Sequence, residues 1–200
     1  TWASGGNLNT ARGQLFGSGT QTAAIAAGGL SPGTTHDSSE EYNGSSWTEG
    51  NNLNTARRVS ATGGPQTAAF ATGGFTPPNT NATEEYDGSS WTNGGNLGTA
   101  RRDFAGAGTQ TAGVAFAGYV SAVSALTEEY NGSSWTASNA MNTSKFGNAG
   151  CGTQTAAFSF GGVSPPASPS LLVTTENYDG TNWTTSPHNL GTGRYSVECS

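Results

Sequence analysis

Apolar residues fall in short bursts along this chain, and the bursts recur in the same order. Tryptophans stand at 2, 47, 91, 135 and 183, and Tyr42, Tyr86, Tyr130 and Tyr178 each precede the last four by five residues. A period of about 45 residues marks one supersecondary unit copied and stacked, because a single copy cannot bury its own apolar face. No window holds a 3.6-residue apolar period long enough to offset its glycines, so helix is nearly excluded.

Aligning the copies on Arg12, Arg57, Arg101, Lys145 and Arg194 brings the rest into register. Gln21, Gln66, Gln110 and Gln154 follow, each before Thr-Ala, and then Gly29, Gly74, Gly118 and Gly162. Each copy predicts four strands. The first, such as Gly13 to Gly19 or Asp103 to Gly108, is rich in Gly, Ala and Ser. The second runs over Gln21 to Ala27, Gln66 to Thr72 and Gln154 to Phe160 and carries Ile25, Phe70, Val114, Phe116, Phe158 and Phe160. The third ends at the tyrosine and the fourth starts at Trp-Thr. Between these two lie Asn43-Gly44, Asp87-Gly88, Asn131-Gly132 and Asp179-Gly180, pairs that accept the positive φ of a tight hairpin.

Four antiparallel strands per copy, small residues first and aromatic residues last, fit the blade of an all-β propeller. Inner strands crowd an axis and need Gly and Ala; outer strands diverge and leave room for Tyr and Trp. Full blades are expected over about 12–55, 57–99, 101–143 and 145–192 of a single domain, 1–200, with partial strands at 2–10 and 195–200. Those end strands are opposite edges of a fifth blade. The preferred explanation is a segment of a longer propeller; the other is self-association through the unpaired end strands.

These residues resemble the kelch repeat, with Gly-Gly after an apolar strand, then Tyr, then Trp. The resemblance spans essentially the whole chain and implies a propeller of four-stranded blades. It departs at Ala117, which replaces the first Gly, and in a short Tyr-to-Trp spacing. The phrases Gly-Thr-Gln-Thr-Ala-Ala and Glu-Glu-Tyr-Asn-Gly-Ser-Ser-Trp-Thr are similar to kelch-like proteins of marine bacteriophages. That second likeness implies a protein of the virion surface or tail, and an extracellular or virion-surface location.

Charge is sparse, 10% of residues, and largely periodic. Glu40, Glu84, Glu128 and Glu176 share one repeat position, opposite in sign to Arg12, Arg57, Arg101 and Lys145. The plain expectation is an ion pair copied with the fold, and Trp47, Trp91, Trp135 and Trp183 are expected to be structural in the same way. The functional alternative is a cationic ring at one mouth of the channel. A net charge of −6 without a basic cluster beyond two Arg-Arg pairs argues against nucleic acid. No apolar run approaches the ~20 residues that span a bilayer, so no membrane insertion is expected. Cys151 and Cys199 are read as small buried thiols, with a disulfide as the alternative.

Catalytic chemistry is not expected, nor any metal or cofactor. His36 and His188 lie far apart in the repeat, and neither has a motif-level partner for nucleophilic or metal chemistry. Tyr86-Asp87-Gly88-Ser89-Ser90-Trp91 resembles the Asp-box of sialidases, itself a structural turn, and its Asp-to-Trp spacing is one residue short. The copper ligands and crosslink of galactose oxidase, a kelch-type fold, have no identifiable counterpart. A glycan-active enzyme is therefore the third choice.

Function is sought where the copies disagree. Segments Leu30–Ser39, Phe75–Thr83, Tyr119–Thr127 and Val163–Thr175 differ in length and hold most of the prolines. In such blades they emerge beside the connections between blades, giving one variable face. Leu30, His36, Phe75, Asn79, Tyr119 and Leu171 are its candidate ligand-binding residues. A neutral face rich in amides, hydroxyls and a few aromatics points to protein partners, such as other virion or surface proteins, or to host-cell glycans. Structural or adhesion work is the first expectation and a lectin-like carbohydrate-binding module the second.

Overall fold

Every Tyr–Trp pair sits across a hairpin whose turn is closed by its own Asn or Asp. Asn43 Oδ1 accepts from the Ser45 and Ser46 amides at 3.0 Å each, and Asp87 Oδ1 from those of Ser89 and Ser90 at 2.8 and 2.7 Å. The next residue, Gly44 or Gly88, adopts φ of 94° or 90°, where a Cβ would be strained. In the computed structural model, which describes residues 4–164 and 171–196, these hairpins form the outer halves of four blades. The chain is an all-β propeller.

Blade 1 comprises β1 (Phe16–Thr20), β2 (Ala23–Ala27), β5 (Ser39–Tyr42) and β6 (Trp47–Glu49), with a small hairpin, β3 (Leu30–Ser31) and β4 (Thr34–Thr35), between its halves. Blade 2 has β7 (Ala61–Gly63), β8 (Phe70–Thr72), β9 (Thr83–Tyr86) and β10 (Trp91–Asn93). Blade 3 has β11 (Ala105–Thr109), β12 (Ala112–Phe116), β13 (Thr127–Tyr130) and β14 (Trp135–Ser138). Blade 4 has β15 (Ala149–Thr153), β16 (Ala156–Phe160), β17 (Thr175–Tyr178) and β18 (Trp183–Thr185). All pairings within blades are antiparallel, and the register puts each Tyr opposite its Trp, with ring centroids 4.9–5.0 Å apart.

The inner strands β1, β7, β11 and β15 pack successively on one another around a central channel. Their glycines are required by this approach. A Cβ on Gly106 would lie 3.0 Å from the Thr62 carbonyl oxygen of the neighbouring inner strand, and one on Gly150 would collide with the Phe116 ring. Core clusters form between blades. Ile25, Ala69, Tyr86 and Trp91 share one, Phe70 meets Trp135 at 6.0 Å, and Phe116 meets Trp183 at 4.8 Å. Trp91 and Trp183 are each 5% exposed. Burying such a ring removes about 150–250 Å² from water, worth at most roughly 4–6 kcal/mol.

Three expectations are corrected. The second strand of blade 2 begins at Phe70, because Gln66–Ala68 forms a 3₁₀ turn. Pro65 stands there in place of the Thr of other copies and offers no amide to the ladder. Residues 4–10 and 195–196, the described parts of the expected end strands, are irregular. Residues 4–10 occupy the inter-blade connection, where the Asn9 amide donates to Glu40 as Asn54 does to Glu84. Cys151, on an inner strand, is disulfide-bonded rather than a free thiol. Trp2, Pro165, Pro166, Pro169 and Cys199 lie outside the described residues.

Candidate functional site

The aligned cations and carboxylates do not line the channel mouth. Arg57 donates to Glu84 at 2.5 Å and to the Ala82 and Gly73 carbonyls at 2.7 and 3.2 Å. Glu84 also accepts the Asn54 and Thr55 amides, so each pair fastens a blade to the connection that precedes it. Arg12–Glu40, Arg101–Glu128 and Lys145–Glu176 repeat the arrangement at 3.1, 2.9 and 3.3 Å. Burial lowers the proton affinity of Arg57, Arg101 and Lys145, opposed in each case by the paired glutamate. Buried and neutralised, these groups are unsuited to hold a ligand.

A cavity of about 910 Å³ comprises the channel together with the open face of blade 1. It is walled by backbone and small side chains of β1, β7, β11 and β15, such as Gly17, Thr62, Gly106 and Gly150. Among its described lining residues there is no His, Asp, Glu, Lys or Arg. The described residues also contain no group of three or more His, Cys, Asp or Glu able to hold a metal ion.

Side-chain variety concentrates on the face formed by the loops between second and third strands and by the blade connections. The residue after each aligned cation bridges to the first residue of the variable loop: Gly13 to Leu30, Arg58 to Phe75, Arg102 to Tyr119 and Phe146 to Val163. In the middle blades these pairs stack into a row. The Arg58 guanidinium lies 4.9 Å from the Phe75 ring centre, and Arg102 lies 5.0 Å from Phe75 and 4.7 Å from Tyr119. Tyr119 then meets Phe146 edge-on at 6.0 Å. Asn79 locks the row across two blades, donating to the Tyr119 and Val120 carbonyls at 3.0 Å each and accepting from Arg102 at 2.8 Å.

Arg102 is held further by Asp103 at 3.2 Å. Burial raises the Asp103 pKa, against the pull of Arg102 and then Arg58. Arg58 itself forms no hydrogen bond or ion pair through its side chain among the described residues. A shallow recess of about 310 Å³ opens beside the row, between Phe75, Pro78, Asn79, Arg102, Val120 and Ser121.

The structure thus brings Phe75, Asn79 and Tyr119 together. Leu30 belongs to the β3–β4 hairpin of blade 1, where His36 bonds the Ser31 hydroxyl at 2.7 Å, and Leu171 bridges to Val163 in blade 4; none of the three lines the recess. Arg58, Arg102 and Phe146 were not among the sequence candidates. Their signal was the variability of the position after the aligned cation, occupied by Gly13, Arg58, Arg102 and Phe146 in successive copies. The face is also cationic at its centre, not neutral, and its aromatic rings are covered by guanidinium groups. No protein-family model and no curated protein matches this chain. The geometry is that of a four-bladed β-propeller with an Arg–aromatic row on its variable face.

Proposed function

We propose that this chain is a non-enzymatic structural or adhesion propeller, kelch-like in its repeat, that works at a virion surface or tail. It engages other surface proteins through the row Arg58–Phe75–Arg102–Tyr119–Phe146. The observation that carries this reading is where side-chain diversity lies. The copied cation–glutamate pairs are buried, and unrepeated, half-exposed side chains gather on one face of a rigid frame. Arg58, stacked but without a side-chain acceptor among the described residues, favours a partner that brings carboxylates.

The recess beside Asn79 has room for one sugar ring, which keeps the lectin-like module as the second reading. A glycan array probed with the labelled protein and with Phe75→Ala and Tyr119→Ala variants separates the two, with turnover of sialoside and galactose substrates measured alongside. The structural reading expects neither turnover nor saturable glycan binding sensitive to these variants. Saturable binding lost in either variant replaces it with the lectin, and turnover refutes the non-enzymatic claim.

A further inference from the structure

The chain has 7 lysines and arginines against 13 acidic residues, and most of the cations already hold a carboxylate. Arg12, Arg57, Arg101 and Lys145 sit in the buried pairs, and Arg102 holds Asp103. Arg194 gives its Nε hydrogen to the Thr192 carbonyl at 3.3 Å. Arg58 is stacked 4.9 Å from the Phe75 ring centre, with no side-chain acceptor among the described residues. Asp103 feels its charge but makes its contact with Arg102. A guanidinium stacked on a ring leaves its N–H edge free, and that edge matches a carboxylate through two parallel hydrogen bonds.

Arg58 also stands on a fixed backbone. Val59, the next residue, lies in the left-handed region at φ 50°, which a β-branched residue occupies only where its surroundings impose it. The Val59 amide donates to the Gln14 carbonyl ahead of β1, and its carbonyl accepts the Asp103 amide ahead of β11, at 3.0 Å each. The arginine is thus held between neighbouring blades before any partner arrives, which lowers the ordering cost of binding. The recess borders the same Phe75, and much of its wall is apolar: Phe75, Pro78, Ala100 and Val120. Asn79 and Arg102, also in that wall, satisfy one another at 2.8 Å. Alternate residues of an extended strand face one way about 6.6 Å apart, a step that carries a chain from Arg58 past the Phe75 ring to the recess. A sugar would need a bare aromatic face to stack on. Arg58 and Arg102 both pack on Phe75, and Arg102 packs on Tyr119 as well.

We propose that the row receives an extended acidic segment of a partner protein, with an Asp or Glu carboxylate bidentate on Arg58 and an apolar side chain two residues away seated in the recess. This rests on the reading of the row as a protein-binding surface and supplies the chemistry of its partner. Charge complementarity selects the acid, because Arg58 is a held cation without a contacting carboxylate on a chain of net charge −6. Arg102, already neutralised by Asp103 and held by Asn79, orders Phe75 and Tyr119 and does not itself take up charge.

An array of short synthetic peptides tests it, each acidic member paired with its Asn or Gln counterpart and the apolar residue stepped along the sequence; polygalacturonate is the acidic glycan control. The whole chain should bind acidic peptides, best with the apolar residue two positions from the acid, and bind neither their amide counterparts nor polygalacturonate. With the best peptide in fluorescence anisotropy, Arg58→Gln should weaken binding at least about 10-fold, the size of a charge-assisted hydrogen-bonded contact. Arg58→Lys, which keeps the charge and loses the fork, should fall between, and Arg194→Gln should leave affinity unchanged. Peptides bound without preference for acid, yet lost in Phe75→Ala, would keep the row as a protein surface and overturn its acidic specificity. Binding of polygalacturonate in place of peptides, acidic binding indifferent to Arg58→Gln, or an array without any row-dependent peptide would each overturn the proposal, the last together with the reading it rests on.

Discussion

Replacing Glu84 by Gln keeps the volume of a wholly buried side chain and removes its charge. Arg57, equally buried, then faces an amide in place of the carboxylate at 2.5 Å. Gln can accept one of the two amides, Asn54 or Thr55, that Glu84 now serves at 2.6 and 3.2 Å; its NH₂ opposes the Asn54 amide if it takes the place of Oε2, and both the Thr55 amide and the guanidinium if it takes that of Oε1. Burial already lowers the proton affinity of Arg57, and Glu84 is what offsets that penalty. Without it, an uncompensated buried cation remains, which costs about 3–5 kcal/mol where such pairs have been broken. In a domain of this size each kcal/mol is worth roughly 2–4 °C, so Tm should fall by about 6–20 °C. Urea denaturation and a thermal scan followed by circular dichroism measure both quantities. Adding Arg57→Met should return part of the loss, because the two side chains act as a unit. A loss below about 1 kcal/mol, the value of a solvated surface pair, would refute the buried-staple reading.

Lys145 occupies the arginine position of blade 4 with an ion pair at 3.3 Å and, among the described residues, no well-aligned hydrogen bond from its Nζ. Lys145→Arg can reach the equivalents of the carbonyls that Arg57 binds, and should raise stability by about 0.5–1.5 kcal/mol in urea denaturation. Gln110→Ala removes two bonds across a blade junction and should cost about 1–3 kcal/mol, whereas Gln21→Ala, at an exposed position, should stay within about 0.5 kcal/mol. Equal effects would deny the junction its role. Burial, then a hydrogen bond to Glu85 or Glu129, raises the Tyr130 and Tyr178 hydroxyls to about 12. Unfolded tyrosines ionise near pH 10, so between about 10 and 12 the folded chain holds more protons and stability falls as pH rises. The urea midpoint should be insensitive to these groups below about pH 10 and decline above it, with a shallower decline in Tyr130→Phe.

The period made the blades legible because each is local: Asn43-Gly44 turns its own hairpin, and Tyr42 faces Trp47 within it. Contacts that join blades were legible only as recurrence. Gln66, Gln110 and Gln154 were visible as copies, but nothing local shows that their amides reach carbonyls 24 to 42 residues away. Pro65 changed a strand into a 3₁₀ turn where the other copies carry Thr. On the variable face, Phe75, Asn79 and Tyr119 stood out by departing from the repeat. Arg58 and Arg102 were masked by Arg57 and Arg101 beside them, whose copied role drew the reading toward structure. The disulfide at Cys151 could not be read from two cysteines whose repeat positions do not coincide.

A rigid repeated frame holding one variable face is tested most directly by native-state amide exchange. The Gly74 and Gly118 amides donate to the Arg101 and Lys145 carbonyls of the next blade at 2.8 Å, so they should exchange only through global unfolding, with matching protection. Exposed Ser121 and Ala122, at the tip of the blade 3 loop, should exchange through local opening, far faster. Exchange at Gly74 and Gly118 as fast as at the loop tip would contradict the division between copied frame and variable face.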